Sequence, residues 1–407
     1  MANYVSKFEI DTGNNTVEIE LREPDYINAE EYGAIADGVT DCTEAINKAI
    51  LAAEVHPFKK RVILPHKDTR YVVNGSISLK SGVILDGCGS ILYRNDDNDL
   101  PLIETSLIAG IGSEISEAVV RNLTITEALN ISTKASAIVL YSCFNCIIEK
   151  VTIVSWRGVG VYTMNASKCI IRNSRFMSIK GAQAVGLDWD EYDEYYDDIH
   201  AYNTVENCYF NFIDLDAVIC NDTYSRIINN DMSYCGMDVS SAAGAIGACG
   251  IWSFGAQVGD GAFIYGNDIH DCTESGIAMN SANNVQISNN KCYNHKLAGI
   301  YTSGSGVSIN GNIVYNNGNS TTTLNPTVWR KSGIAILAGA SKVTVTGNIC
   351  FDDRGDAATQ TYGIDLLDNI SLVVVSGNIM QPSKDGNIAS AIASGGSEKV
   401  LYAGLNQ

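Results

Sequence analysis

The chain has 407 residues, of which 45% are hydrophobic and 18% charged, with 37 Gly, 6 Pro and a formal net charge of −19. That acidity excludes a nucleic-acid phosphate track and an anionic membrane surface as partners, because both need clustered Lys and Arg; an anionic substrate would need local cations or a bridging metal. No run of about 18 apolar residues is present to span a membrane, and frequent Gly with little charge points to short strands, tight turns and scarce helix.

The first ten residues, MANYVSKFEI, are polar and lack an apolar signal core, so no secretory signal is expected in this sequence. Residues 1–26 read as a β-hairpin leader, with VSKFEID and TVEIEL on either side of the turn-like Thr12-Gly13-Asn14-Asn15. In residues 27–54, Ala45, Ile46, Ala49 and Ile50 recur at helical spacing after a Thr- and Asp-rich start, which predicts one amphipathic helix. Residues 27–93 form that helix and the first rungs, and 94–407 the repeating body with inserted loops. The open end of a repeat must be covered, so the helix is a cap.

The body repeats a phrase of alternating hydrophobic residues that ends in Asn. These are Asn173, Asn207, Asn230, Asn267, Asn290, Asn312, Asn348 and Asn378, at intervals of 34, 23, 37, 23, 22, 36 and 30 residues. A base period of 22 or 23 with insertions describes stacked coils sharing one core. The Asn column reads as an internal ladder that satisfies turn backbone. Of the twelve Cys, Cys143 and Cys146 form a C-x-x-C with no second pair at zinc-ligand spacing, and Cys169, Cys208, Cys272, Cys292 and Cys350 fall at strand positions of separate repeats. They read as stacked free thiols acting as small hydrophobes.

The run YGAIADGVTDCTEAI (32–46), followed by RVILP (61–65), RYVV (70–73), LKSGVILDG (79–87) and GSILY (89–93), resembles the N-terminal cap and first rungs of the pectate-lyase-like superfamily. Polygalacturonases, mannuronan epimerases and bacteriophage tailspike depolymerases open in this way. The resemblance implies an all-β, single-stranded right-handed parallel β-helix. Its tailspike branch implies a homotrimer, extracellular or virion-associated, acting on or recognising a bacterial surface glycan. One departure is PHKDTRY (65–71) in place of the usual P-x-G-x-Y turn. The polygalacturonase runs N-T-D, G-H-G and R-I-K and the epimerase run D-P-H-E do not occur, so neither mechanism is carried over.

Each coil contains a strand that begins Gly-hydrophobic, as in GVY at 160, GLD at 186, GIW at 250, GIA at 276 and GIY at 299. Placing the residue after Gly inward turns the next one outward. The outward row then carries Tyr162, Asp188, Asp190, Asn221, Trp252, Phe254, Asn280 and Tyr301. Aromatic faces beside planar hydrogen-bonding groups suit a sugar ring, whose C–H face is apolar and whose edge is hydroxylated. Tyr162, Asn221, Asp222, Trp252, Phe254, Asn280 and Tyr301 are therefore the substrate-binding candidates; the alternative is that the aromatics pack beneath long loops or bury a trimer seam. Overlong segments such as 230–250 and 312–333 would wall this strip.

Asp188 and Asp190, at i and i+2 on one strand face, stand about 6.8 Å apart, within the roughly 6.5–9.5 Å range of inverting glycosidases. Asp216 in the next coil completes the catalytic candidates, since clustering raises one pKa and keeps an acid protonated. The acidic run DWDEYDEYYDDIH (188–200) reads as a solvated loop, a catalytic cluster or a Ca²⁺ site at Asp193, Glu194 and Asp197. These features point to a glycoside hydrolase that depolymerises a polysaccharide by carboxyl acid/base catalysis and needs no cofactor. The alternatives are a non-catalytic glycan-binding adhesin or receptor-binding tailspike, and a lyase or epimerase drawing on His200, Arg226, His270, Lys291 or His295.

Overall fold

The computed structural model describes residues 5–11, 16–22, 24–105, 115–129, 131–132, 134–188, 201–237, 248–253, 259–319, 331–367, 369–381, 388–390 and 400–402. Val5–Asp11 and Thr16–Arg22 pair antiparallel, with Phe8 opposite Ile19. The helix Thr43–Val55 buries Ile46, Ala49, Ile50 and Ala53. Its start is fixed by Asp41, whose Oδ1 accepts from the Thr43 backbone N–H at 3.0 Å and the Thr43 hydroxyl at 2.6 Å. The Thr43 hydroxyl oxygen also accepts from Gly75 N–H at 3.0 Å, which ties the helix to the first rung.

Behind the helix, the chain winds into coils of three short parallel strands, for example Val161–Met164, Ile170–Arg172 and Arg175–Lys180. The first strand of each coil joins a twelve-stranded parallel sheet that runs from Ile77–Leu79 to Ile388–Ser390. The second and third strands form a separate sheet, bent at a left-handed residue between them. That residue is Asn173 (φ 52), Asn207 (φ 53) or Asn229 (φ 54) in early coils, and Gly266 (φ 68) or Gly311 (φ 67) later, the two residue types that tolerate positive φ best.

Inward positions stack in register from coil to coil. Ile171, Val205, Ile227, Ile264, Ile287, Ile309, Val345 and Val375 form one such column, each at most 1% exposed. Burying each contributes about 1.5–3 kcal/mol, and the columns merge into one continuous core.

The Asn ladder is present with a one-residue correction. Asn173 and Asn207 are exposed left-handed bend residues, not ladder members. The buried ladder starts at Asn230 and passes through Asn267, Asn290, Asn312 and Asn348 to Asn378, each backbone N–H donating to the next amide oxygen at 2.9–3.0 Å. All twelve Cys are free and all but Cys88 are buried, in keeping with their reading as small hydrophobes.

Candidate functional site

Strand pairing in the twelve-stranded sheet aligns Tyr162, Gly186, Ile219, Trp252, Ala278, Tyr301, Ala335 and Asp365 in one outward row. The position expected for Asp188 belongs to Gly186, because Val185 rather than Leu187 pairs with Val161. Asp188 sits one step later on the same face, opposite Met164. Gly186 leaves room for the neighbouring ring, since a Cβ there would lie 2.9 Å from Tyr162 Cδ2. The Tyr162 hydroxyl donates to Asp188 Oδ2 at 3.0 Å.

The acids fall into two groups. Asp222, in the coil after Asp188, is fully buried and accepts from Asn203 Nδ2 at 2.7 Å and from the Ser225 hydroxyl. Burial pushes its carboxyl up to about 7, and the charge of Asp188 adds to this. Asp216 lies at the opposite end of the strands. It is 1% exposed and its Oδ1 accepts from Cys249 N–H at 2.8 Å. Burial pushes it up to about 8, with the charge of Glu274 adding. Glu274 is half-buried and is itself pushed up to about 7 by burial. Because Val218 pairs with Val185, Asp216 is displaced five residues along the strand from Asp188, roughly 16 Å at a rise of ~3.3 Å per residue. The expected single acid cluster is thus two separate groups. Asp190 lies outside the described residues, and so does the spacing argument built on it.

The aromatic strip is also less open than the alternation implies. Tyr301 is 8% exposed and packs with Cys249, Ala278, Ala298 and Ala335, against which Trp252 and Leu337 lie. It is the packed alternative that holds for Tyr301, while Trp252 and Tyr162 remain half-buried. Ala278 separates Trp252 from Tyr301 in the row, and Asn280 Nδ2 donates to the Tyr301 hydroxyl oxygen at 3.3 Å. Burial first, then Cys249, Glu274 and Asp216, raise the Tyr301 phenol, which places these groups in one neighbourhood. Asn221 is half-buried beside Asp222. Phe254, Asp193, Glu194, Asp197 and His200 lie outside the described residues. Glu274 escaped the sequence reading; its signal is an acid just before a Gly-Ile strand, in the turn that carries Asp216 two coils earlier.

Residues 195–380 match the model of a family described as right handed beta helix region. Among solved structures, the A-module of a mannuronan C-5 epimerase from Azotobacter vinelandii superposes with a TM-score of 0.67 at 18% identity, covering 92% of this chain and 100% of that one. The chain is a right-handed parallel β-helix. PfbA, a surface adhesin of Streptococcus pneumoniae, gives 0.63 at 16% identity over 87% of this β-helix and 91% of the adhesin. Tailspike protein 3 of bacteriophage CBA120 gives 0.60 at 12% identity over 97% of this chain and 66% of the tailspike. Comparison with curated proteins finds no match.

Elsewhere on the β-helix, the remaining basic candidates are held by structural partners. His295 is fully buried, its Nδ1 accepts from Cys272 N–H at 3.2 Å, and burial holds it down to about 3, hence neutral. His270 bonds Asp271 at 2.7 Å and stacks on Tyr293 at 5.0 Å. Tyr293, Tyr315 and Phe351 continue that stack at 4.8 Å intervals and interplanar angles of 4–5°. Their faces cover one another, leaving edges rather than faces to solvent, so this ladder stiffens the coil and offers no sugar platform. Arg226 lies over the Phe263 ring, and Lys291 pairs with Asp268 at 3.3 Å. Cys143, Cys146 and Cys169 place their sulfurs within 4.8 Å of one another in the core; among the described residues no further His, Cys, Asp or Glu joins them, so a tetrahedral zinc set is incomplete. No helix among the described residues is long and apolar enough to cross a membrane.

Proposed function

We propose that this β-helix binds a polysaccharide along the outer face of its twelve-stranded sheet and cleaves its glycosidic bonds, with Glu274 as the proton-transferring carboxyl. One observation carries the proposal: Glu274 is only half-buried, lies next to Cys249, which packs in the cluster of Trp252 and Tyr301, and, raised to about 7, keeps a substantial protonated fraction near neutral pH. A general acid works best with its pKa near the working pH. Asp216, buried behind it and raised to about 8 with the Glu274 charge adding, stays largely protonated at neutral pH, so the two do not ionise together. Asp188 and Tyr162 lie three and four strands away on the same face, at least roughly 14 Å distant, and contact a neighbouring sugar rather than the scissile bond. The tailspike and epimerase similarities support action on a glycan, outside the cell or on a virion.

The same exterior supports self-association. Ile313, Ile349 and Ile379 stand in register on the second sheet, with Ile313 40% and Ile379 54% exposed, a row suited to a homotrimer seam. Light scattering of the purified protein tests this. A Ca²⁺ ion held by Asp193, Glu194 and Asp197 belongs to the proposal as well, and a chelator-induced fall in Tm tests it.

A second reading is a non-catalytic glycan-binding adhesin. It is favoured by the complete burial of Asp222, whose two oxygens are both engaged by Asn203 and Ser225, as a structural acid would be. Incubating the protein with a panel of polysaccharides and weighing the products separates the readings. Products that have gained water fit the hydrolase. An unsaturated uronate fits a lyase, an unchanged mass with an inverted uronate centre an epimerase, and binding without products the adhesin.

A further inference from the structure

The strands Val119–Glu127, Ile147–Arg157 and Arg175–Lys180 belong to the second sheet. Where they end, a surface cavity of about 470 Å³ opens, lined by Lys134, Arg157 and Lys180 together with Ser132, Ser178 and Glu127. Three cations in one cavity stand out in a chain of net charge −19. Lys134 has no ion-pair partner among the described residues. Among the described residues the Arg157 guanidinium donates to the neutral carbonyls of Ile131 and, at 3.2 Å, Leu129, which do not compensate its charge. Lys180 faces Asp214 at 3.4 Å, and Asp97 accepts from the Ser132 hydroxyl at 3.1 Å. Glu127 is 7% exposed, accepts from Arg157 N–H at 2.6 Å, and burial pushes it up to about 7, which weakens it as a counter-charge. The Lys134 ammonium lies against Gly181, next to Lys180 in the chain: a Cβ on that glycine would be 3.4 Å from Lys134 Nζ. Lys134 and Lys180 thus bring positive charge to the same end of the cavity, where an anion is attracted. The volume is that of a small-molecule pocket, and hydroxyls line it beside the cations, the combination a sugar acid requires.

We propose that this cavity is a subsite for a carboxylate-bearing sugar, with the carboxylate on Lys134 and Lys180 and ring hydroxyls on Ser132 and Ser178. The inference rests on the glycan reading above and narrows it: the polymer contains an acidic residue, and the second sheet as well as the twelve-stranded face contacts it. Calorimetry with glucuronate, galacturonate and mannuronate oligosaccharides, each beside its carboxyl-reduced counterpart, tests it on the full chain. At least one acidic oligosaccharide is expected to bind, weakening with added salt, while its reduced form binds about tenfold less. The double variant Lys134→Gln/Lys180→Gln, with Tm unchanged, is expected to lose about tenfold for the acidic sugar and nothing for the reduced one. Equal binding of acidic and reduced sugars, or a double variant that binds like the wild type, overturns the proposal. So does inorganic sulfate binding as tightly as any oligosaccharide, which would make the cavity a free-anion site. If neutral glycans are bound or cleaved while no uronate binds, this subsite falls and the glycan reading stands. If no glycan of either kind binds, both fall.

Discussion

Replacing Asp216 by Asn should make the protein more stable near pH 8, by a margin that grows as pH rises. Asp216 is 1% exposed and its carboxyl is raised from 3.8 to about 8, chiefly by burial. An acid with a raised folded-state pKa contributes stability that is fully present below the unfolded value and is lost as pH climbs through the folded one. For Asp216 that window runs from 3.8 to about 8. Within it, the folded state holds one proton more than the unfolded state, a slope of about −1.4 kcal/mol per pH unit that sums to about 6 kcal/mol in full and about 5 kcal/mol at pH 8. Asn keeps an oxygen for the Cys249 N–H, now 2.8 Å from Asp216 Oδ1, and does not titrate. Its buried amide group offsets part of the gain, about 1–3 kcal/mol, leaving about 3 kcal/mol at pH 8. Urea unfolding of wild type and variant from pH 4.5 to 8 measures this directly. The variant's stability should fall with pH by one proton less than the wild type's. Parallel pH profiles would refute the placement of a protonated Asp216 in the core.

Glu274→Gln should abolish glycan cleavage with little change in Tm. In the wild type, kcat/KM should fall as pH rises through about 7, where the acid loses its proton; a rate that does not sense Glu274 contradicts its role. Gly186→Ala should displace the Tyr162 ring, whose Cδ2 is 2.9 Å from the new Cβ, and break the 3.0 Å bond to Asp188. Calorimetry should show weaker glycan binding, and urea unfolding a stability loss of about 1–3 kcal/mol from overpacking. Asn290→Ala removes four hydrogen bonds, two from Asn267 and one each to Ile264 and Asn312, and should cost about 3–5 kcal/mol by leaving buried groups unpaired. Asn207→Ala, at an exposed bend of φ 53, should cost about 1–2 kcal/mol; equal losses at the two sites would contradict the distinction between ladder and bend.

The coiled architecture was legible because each coil repeats the same local solution. A buried β-branched residue, a left-handed bend and an Asn recur within 22 or 23 residues, and such a period survives insertions. The ladder was misread at its start because Asn serves both as bend, at Asn207, and as ladder member, at Asn230. The outward row was misaligned at Asp188 because Ala184-Val185 fills the place that Gly160-Val161 fills one coil earlier, so the nearby Gly186 gave a false start. A slip of two residues keeps the face, which is why Asp188 still points outward. Burial of Tyr301 could not be read locally, since Cys249, Ala278 and Ala335 come from three other coils. The raised carboxyl of Asp216 likewise comes from burial by the assembled coils, with the charge of Glu274, two coils on, adding to it. The thiol cluster was within reach of the repeat, for Cys169 follows Cys146 by one 23-residue period.

The central claim is that the outer face of the twelve-stranded sheet cleaves the glycan it binds. The direct measurement follows product release by mass spectrometry while binding is recorded on the same polysaccharide, for the wild type, Asp188→Asn and Glu274→Gln. The account predicts shortened products that have gained water from the wild type, binding without products from Glu274→Gln, and weakened binding from Asp188→Asn. Wild-type protein that binds the polysaccharide and never shortens it would contradict the account and leave a glycan-holding β-helix in its place.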